Sequence, residues 1–139
     1  MQPGTKSGFE LDARLESNSV PVMWLGLCEL RLVNDGRWIR LMLVPQRTGV
    51  EEIHELSPLD QAMLTFEICM VSKALKHVAQ CDTVNMSIAC NAIRQLRVDM
   101  IARSKGDAGW PDTVWDDEPC KPRDRKSQLA LLDKLRAAM

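Results

Sequence analysis

The chain has 139 residues, 45% of them hydrophobic and 27% charged, which suits one domain built on a single ordinary core. Eighteen basic against nineteen acidic residues leave a net charge of -1, and that balance offers no footprint for DNA, RNA or an anionic membrane surface. Glu10, Asp12 and Glu16 interrupt the N-terminal region before any apolar signal segment, and no apolar run approaches the roughly 20 residues that cross a bilayer. Five cysteines, an odd number without a C-x-x-C pair, predict reduced thiols in a cytoplasmic protein. With only His54 and His77 to join them, no zinc spacing is present, and no metal or cofactor is expected.

Residues 1–8 read as a flexible lead-in. From Val22 to Val33 the pattern predicts a first strand, with Cys28, Leu30 and Leu32 on one side and Glu29 and Arg31 on the other. Asn34-Asp35-Gly36 predicts a hairpin turn into a return strand, Trp38 to Val44, which Pro45 ends. A polar connection over 46–56 leads to Ser57-Pro58, which reads as a helix start with Ser57 as N-cap and Asp60 in the first turn. That helix should run to about Gln80. Its apolar stripe is Met63, Leu64, Ile68, Val71, Ala74, Leu75 and Val78, and Phe66 and Cys69 fall outside it. More of the circumference is therefore apolar than a one-sided surface helix requires. Glu67, at the centre of the stripe, calls for a structural salt bridge or a capping role.

A second hairpin is predicted from Val84–Cys90 and Gln95–Arg103, with Val84, Met86, Ile88, Cys90, Leu96, Val98 and Met100 facing the core. Its other face presents Asn85, Ser87, Gln95, Arg97 and Asp99 as a polar patch. Residues 104–123 form a long loop whose Trp110 and Trp115 are expected to pack over the domain. A last helix should span about Arg125 to Ala138, with Leu129, Leu132 and Leu135 in a stripe widened by Leu131. The fold class is α+β: an antiparallel sheet of about five strands with one long helix and a C-terminal helix.

No phosphate-binding glycine loop and no nucleophile elbow occurs. His54 and His77 read as ordinary surface or capping residues. The polar patch on the second hairpin is the better candidate site, although the solvated side of an antiparallel sheet looks the same.

The stretch Gln95-Leu96-Arg97-Val98-Asp99-Met100-Ile101-Ala102-Arg103 resembles the histidine-triad motif, in which three His alternate with apolar residues along one strand. Leu41-Met42-Leu43-Val44-Pro45 is similar to the L-x-x-P strand of that superfamily, and Asn85 to Asn91 is similar to its Asn-bearing strand. Glu52-Ile53-His54-Glu55-Leu56-Ser57 and Trp110-Pro111…Val114-Trp115 resemble segments of a bacterial branch whose first triad position is already Gln. The likeness spans roughly Phe9 to Trp115. It implies a HIT-like domain over 9–115 and a C-terminal extension over 116–139 whose helix packs on the same domain. It also implies a homodimer, and a nucleotide or phosphate ligand near Asn85, Asn91, Gln95, Arg97 and Asp99.

In such proteins the middle His attacks the α-phosphorus and forms a nucleotidyl-imidazole that water then hydrolyses. Here that position is Arg97, whose guanidinium stays protonated and has no lone pair for attack. The third His would touch phosphate, and here it is Asp99. Three readings stay open: a pseudoenzyme that keeps ligand binding, a structural or interaction protein in which Arg97 and Asp99 neutralise each other, and a hydrolase or transferase with a divergent mechanism.

Overall fold

The computed structural model describes residues 8–114 and 120–139. Trp115, one of the two tryptophans expected to pack, lies outside them. The elements in chain order are helix α1 (Ala13–Ser17), strands β1 (Ser19–Trp24), β2 (Cys28–Val33) and β3 (Arg40–Pro45), and a 3-10 turn (Ile53–Glu55). Helix α2 (Pro58–Ala79), strands β4 (Thr83–Ser87) and β5 (Val98–Arg103) and helix α3 (Arg125–Ala138) complete them. The α+β class holds, and the sheet has five strands in the order β1-β2-β3-β5-β4, with every neighbouring pair antiparallel.

A connection over 34–39, turning at Gly36-Arg37, joins β2 to β3 as an antiparallel pair, with Leu30 opposite Leu43 and Leu32 opposite Leu41; the return strand starts at Arg40 rather than Trp38, and Pro45 is its last residue, paired with Cys28. The single first strand expected over Val22–Val33 is in fact two strands. The chain reverses at Leu25-Gly26-Leu27, where the Leu25 amide donates to the Cys28 carbonyl at 2.8 Å and Trp24 pairs with Glu29. Glu67 explains the reversal: its carboxylate accepts from the Leu27 amide at 2.8 Å and the Cys28 amide at 3.0 Å. Its expected capping role is thus met by a loop rather than by its own helix. A Cβ on Gly26 would lie 3.1 Å from the Met63 side chain, so the bare glycine lets this turn sit against α2.

α2 begins as its residues dictate, with the Ser57 hydroxyl accepting from the Asp60 amide at 3.1 Å and Pro58 in the first turn. Leu64, Val71, Ala74 and Leu75 bury one stripe against the sheet. Phe66 stands 70% exposed and Cys69 is exposed, outside that stripe. Asp124 caps α3, whose Leu131, Leu132 and Leu135 join the core that contains Leu30, Leu43 and Leu75. Leu129, expected in that stripe, is exposed instead, because the buried arc of α3 is centred one residue further on, between Leu131 and Leu135.

The second hairpin is shorter than its alternation suggests. β4 stops at Ser87 and β5 begins at Val98, so Gln95 and Arg97 lie on the irregular connection and not on a strand. Met86 and Ile88 are exposed, since β4 is the edge strand of the sheet and Ile88 lies past its end, and Cys90 leaves the sheet altogether. In the long loop Trp110 lies beside Arg103, whose guanidinium carbon is 5.7 Å from the ring centroid. No helix among the described residues is long and apolar enough to cross a membrane.

Candidate functional site

Residues that pair directly across antiparallel strands share a face. Met42 pairs with Asp99, Arg31 with Met42, and Arg40 with Ile101. These side chains therefore lie on the face turned away from Leu30, Leu43 and α2. Apolar side chains partly roof this face: Leu15, Val33, Met42 and Val44 form a small cluster with Phe9, Leu11, Ile93 and Cys120 packed on it. Beside that cluster opens a cleft of about 560 Å³. Arg40, Met42 and Asp99 form its floor, Arg14 and residues 17–19 one wall, and Ile93, Arg97 and Cys120 the others.

The charges of this face are matched rather than scattered. Glu29 and Arg31 form a buried pair at 3.0 Å, and the Arg31 guanidinium also donates to the Ser19 hydroxyl at 2.7 Å and the Ser19 carbonyl at 3.1 Å. Burial raises the Glu29 carboxyl above its ordinary range, and Arg31 pulls it back in part. On α1, hydrogen bonds from Arg14 hold the Asp12 carboxyl down at about 2. Asp99 receives two longer contacts, 3.5 Å from Arg40 and 4.0 Å from Arg97. The Cys120 thiol is pushed up by burial and by the Asp35 charge, so it is a poor thiolate at neutral pH.

The residues singled out from the sequence part company here. Arg97 and Asp99 do line the cleft. The Arg97 guanidinium donates to the carbonyls of Ile93 at 3.1 Å, Gln95 at 2.9 Å and Ala89 at 3.3 Å, which pins the connection between β4 and β5. With its side chain only 12% exposed, it also meets the Asp99 carboxylate at 4.0 Å, the pair that the second reading invokes. Gln95 is a latch: its side chain accepts from the Asp12 amide and donates to the Glu10 carbonyl, each at 2.9 Å. Asn85 sits on the edge strand opposite Ile101, and Asn91 is exposed on the connection; neither is among the cleft-lining residues. His54 lies in the 3-10 turn before α2, and His77 lies beside Cys69, Lys73 and Met86 near the end of α2.

Arg40 and Arg14 were missed by sequence reasoning. For Arg40 a signal existed, because it shares the period-2 phase of Met42 and opposes Leu41 and Leu43. Among the described residues no group of three His, Cys, Asp or Glu is placed to hold a metal ion.

In backbone and sequence the chain is similar to a histidine triad protein from Sinorhizobium meliloti, with 41% identity and a TM-score of 0.92 over 96% of this chain and 98% of that one. A histidine triad protein from Bradyrhizobium japonicum matches at 34% identity and a TM-score of 0.90, over 94% of this chain and 97% of that one. One from Marinobacter aquaeolei matches at 32% identity and a TM-score of 0.90, over 94% and 95%. No family model and no curated protein matches the chain.

Proposed function

For a chain that belongs to the histidine triad family, we propose a non-hydrolytic role: a pseudoenzyme of the cytoplasm whose cleft binds a nucleotide or another phosphate-bearing ligand. The observation that carries this reading is Arg97. It stands where the motif resemblance places the nucleophile, and its always-protonated guanidinium, engaged with three carbonyls, has no electron pair to offer phosphorus. No imidazole lines the cleft among the described residues. Arg14, Arg40 and Arg97 line it, with Asp12 on Arg14 and Asp99 beside Arg40 and Arg97, and this guanidinium-rich lining favours an anionic ligand. Cytoplasmic action accords with five cysteines that are all unpaired.

The test has two arms. Adenosine phosphoramidate incubated with the protein should show no turnover by phosphorus NMR, and AMP should raise the melting temperature, as any ligand of the folded state must. Turnover at rates usual for the family and lost in Arg97→Ala would overturn the non-hydrolytic reading. A second reading, an interaction protein without a small ligand, is favoured by the commitment of both Gln95 and Arg97 to main-chain hydrogen bonds. Absence of any AMP response would leave that reading standing.

The proposal includes a two-fold homodimer through α2. Leu59 and Phe66 are each 70% exposed, and Phe66 borders an apolar groove of about 440 Å³ formed with Leu25, Met63 and Met70. Insertion of Phe66 from a second copy would cover that surface. Light scattering should give twice the chain mass, and Phe66→Glu should give the chain mass alone.

A further inference from the structure

Two successive segments border the cleft face, α1 and the stretch before it, and they are fixed very differently. α1 is anchored: Leu15 is buried, the Ser19 hydroxyl donates to the Leu15 carbonyl at 2.7 Å, and the Asn34 amide donates to the Asn18 carbonyl at 2.9 Å. Residues 9–12 form no helix or strand, and half-buried Phe9 and Leu11 alternate with exposed Glu10. Among the described residues, the hydrogen bonds that tie their main chain to anything beyond α1 both end on one side chain. The Asp12 amide donates to the Gln95 side-chain oxygen, and the Gln95 side-chain amide donates to the Glu10 carbonyl, each at 2.9 Å. Gln95 is itself held in place, its carbonyl accepting from Arg97 at 2.9 Å and the next amide, of Leu96, donating to the Val50 carbonyl at 3.0 Å.

We propose that residues 9–12 are a strap hinged at α1 and latched by Gln95, and that the strap sets the length of the cleft. The cluster beneath it supplies the argument. Phe9 and Leu11 pack on Leu15, Val33, Met42 and Val44, of which Leu15, Val33 and Met42 also line the cleft. Met42 and Val44 lie two residues apart on β3 and so share a face. With the strap down, the cleft floor ends at Met42; with the strap lifted, it runs on to Val44 over an apolar bed. The hold is slight. Two neutral hydrogen bonds and two half-buried side chains are a small part of what fixes the sheet, so the strap opens while the rest stays folded. Both bonds use one side-chain amide, which makes release a single event. The strap thus governs how much of the apolar floor a ligand can reach, whatever the chemistry of its polar end.

Amide exchange by NMR and methionine oxidation on the full chain test this, using wild type, Gln95→Ala and Gln61→Ala. Gln61 donates to the Leu56 carbonyl at the start of α2 and controls for the loss of a glutamine hydrogen bond elsewhere. In Gln95→Ala the Asp12 amide should exchange at least about tenfold faster than in wild type. Hydrogen peroxide should oxidise Met42, in the cluster under the strap and only 3% exposed, at least about threefold faster. Met100, buried in the core on the other face, should keep its wild-type rate, and Gln61→Ala should change none of the three. A faster Asp12 amide with Met42 unchanged would show a frayed segment that gates nothing. Equal acceleration of Met42 and Met100, or of Met42 in both variants, would show general loosening of the fold. Either result overturns the proposal, as does no change at all. Should Gln95→Ala fail to fold by circular dichroism, Gln95→Glu serves instead. Its carboxylate still accepts from the Asp12 amide but has no proton for the Glu10 carbonyl, so Met42 should again oxidise faster, by a smaller factor. A wild-type Met42 rate in that variant would overturn the proposal.

Discussion

The two faces of the sheet are built from the same strands and covered to similar degrees, yet they obey different rules. Every residue of β2 is buried, Leu30 and Leu32 against α2 and Glu29 and Arg31 against the N-terminal side. On the α2 face the currency is volume: Leu30, Leu41, Leu43, Val98 and Met100 are aliphatic and close-packed. On the cleft face it is charge balance, because a buried ion without its partner is far more costly than a missing methyl group. Burial alone does not tell the faces apart. What separates them is that one must be filled, whereas the other must be matched.

The largest effect should come from unbalancing the matched face. Arg31→Met leaves Glu29 buried without its cation and removes both donors to Ser19, and should cost about 3–5 kcal/mol in urea unfolding. Glu29 already has a raised pKa, so its charged form is the disfavoured one in the folded state. The stability loss should therefore grow as pH rises through that pKa and shrink under mild acid. Adding Glu29→Gln should recover part of it. A loss that is the same at pH 5 and pH 8 would contradict this account.

The filled face should respond to volume alone. Leu43→Ala, at a position with no exposure, should cost about 2–5 kcal/mol with little dependence on pH, whereas Leu43→Met should cost less than about 1.5 kcal/mol. A strong pH dependence for Leu43→Ala would erase the distinction between the faces.

Arg97 sharpens the comparison, because it belongs to the matched face yet serves the backbone. Arg97→Ala should cost about 1.5–3 kcal/mol and speed amide exchange across residues 88–97, since it strips donors from three carbonyls. A change under about 1 kcal/mol would show that these carbonyl contacts do not hold the connection.

How much of this was legible beforehand follows the same division. The filled face was readable: Leu30, Leu41, Leu43, Val98 and Met100 alternate in phase, and Ser57-Pro58 marks the start of α2. The break at Gly26 was not, because Val22, Trp24, Leu25 and Leu27 keep the chain apolar on both sides of the turn, and the group that holds it, Glu67, lies 40 residues away. The matched face was legible in its residue types but not in its pairings. Glu29, Arg31, Gln95 and Asp99 are plain in the sequence, whereas the latch from Gln95 to Glu10 and Asp12 spans more than 80 residues. The ends of β4 and β5 were overextended because alternation continues through 88–97 while Arg97 draws the carbonyls there away from a ladder.

The smallest effect tests how the wall of the cleft is anchored. Asp12 caps α1 through the Arg14 amide and grips the Arg14 side chain, and these bonds hold its carboxyl at about 2 against an ordinary value of 3.8. A folded-state pKa lowered in this way stabilises α1 at every pH above the ordinary value, and the contribution drains away as pH falls towards about 2. Because Asp12 caps only the short α1, the change should be local: amide exchange in Ala13–Ser17 should quicken across that window, well before β2 or β3 responds. Asp12→Asn keeps a capping side chain and removes the titration, so its exchange in α1 should be independent of pH over the same range once the intrinsic chemistry is corrected. If wild type and Asp12→Asn lose α1 in parallel, the anchor is the Gln95 latch to the Asp12 amide and the carboxylate adds nothing to it.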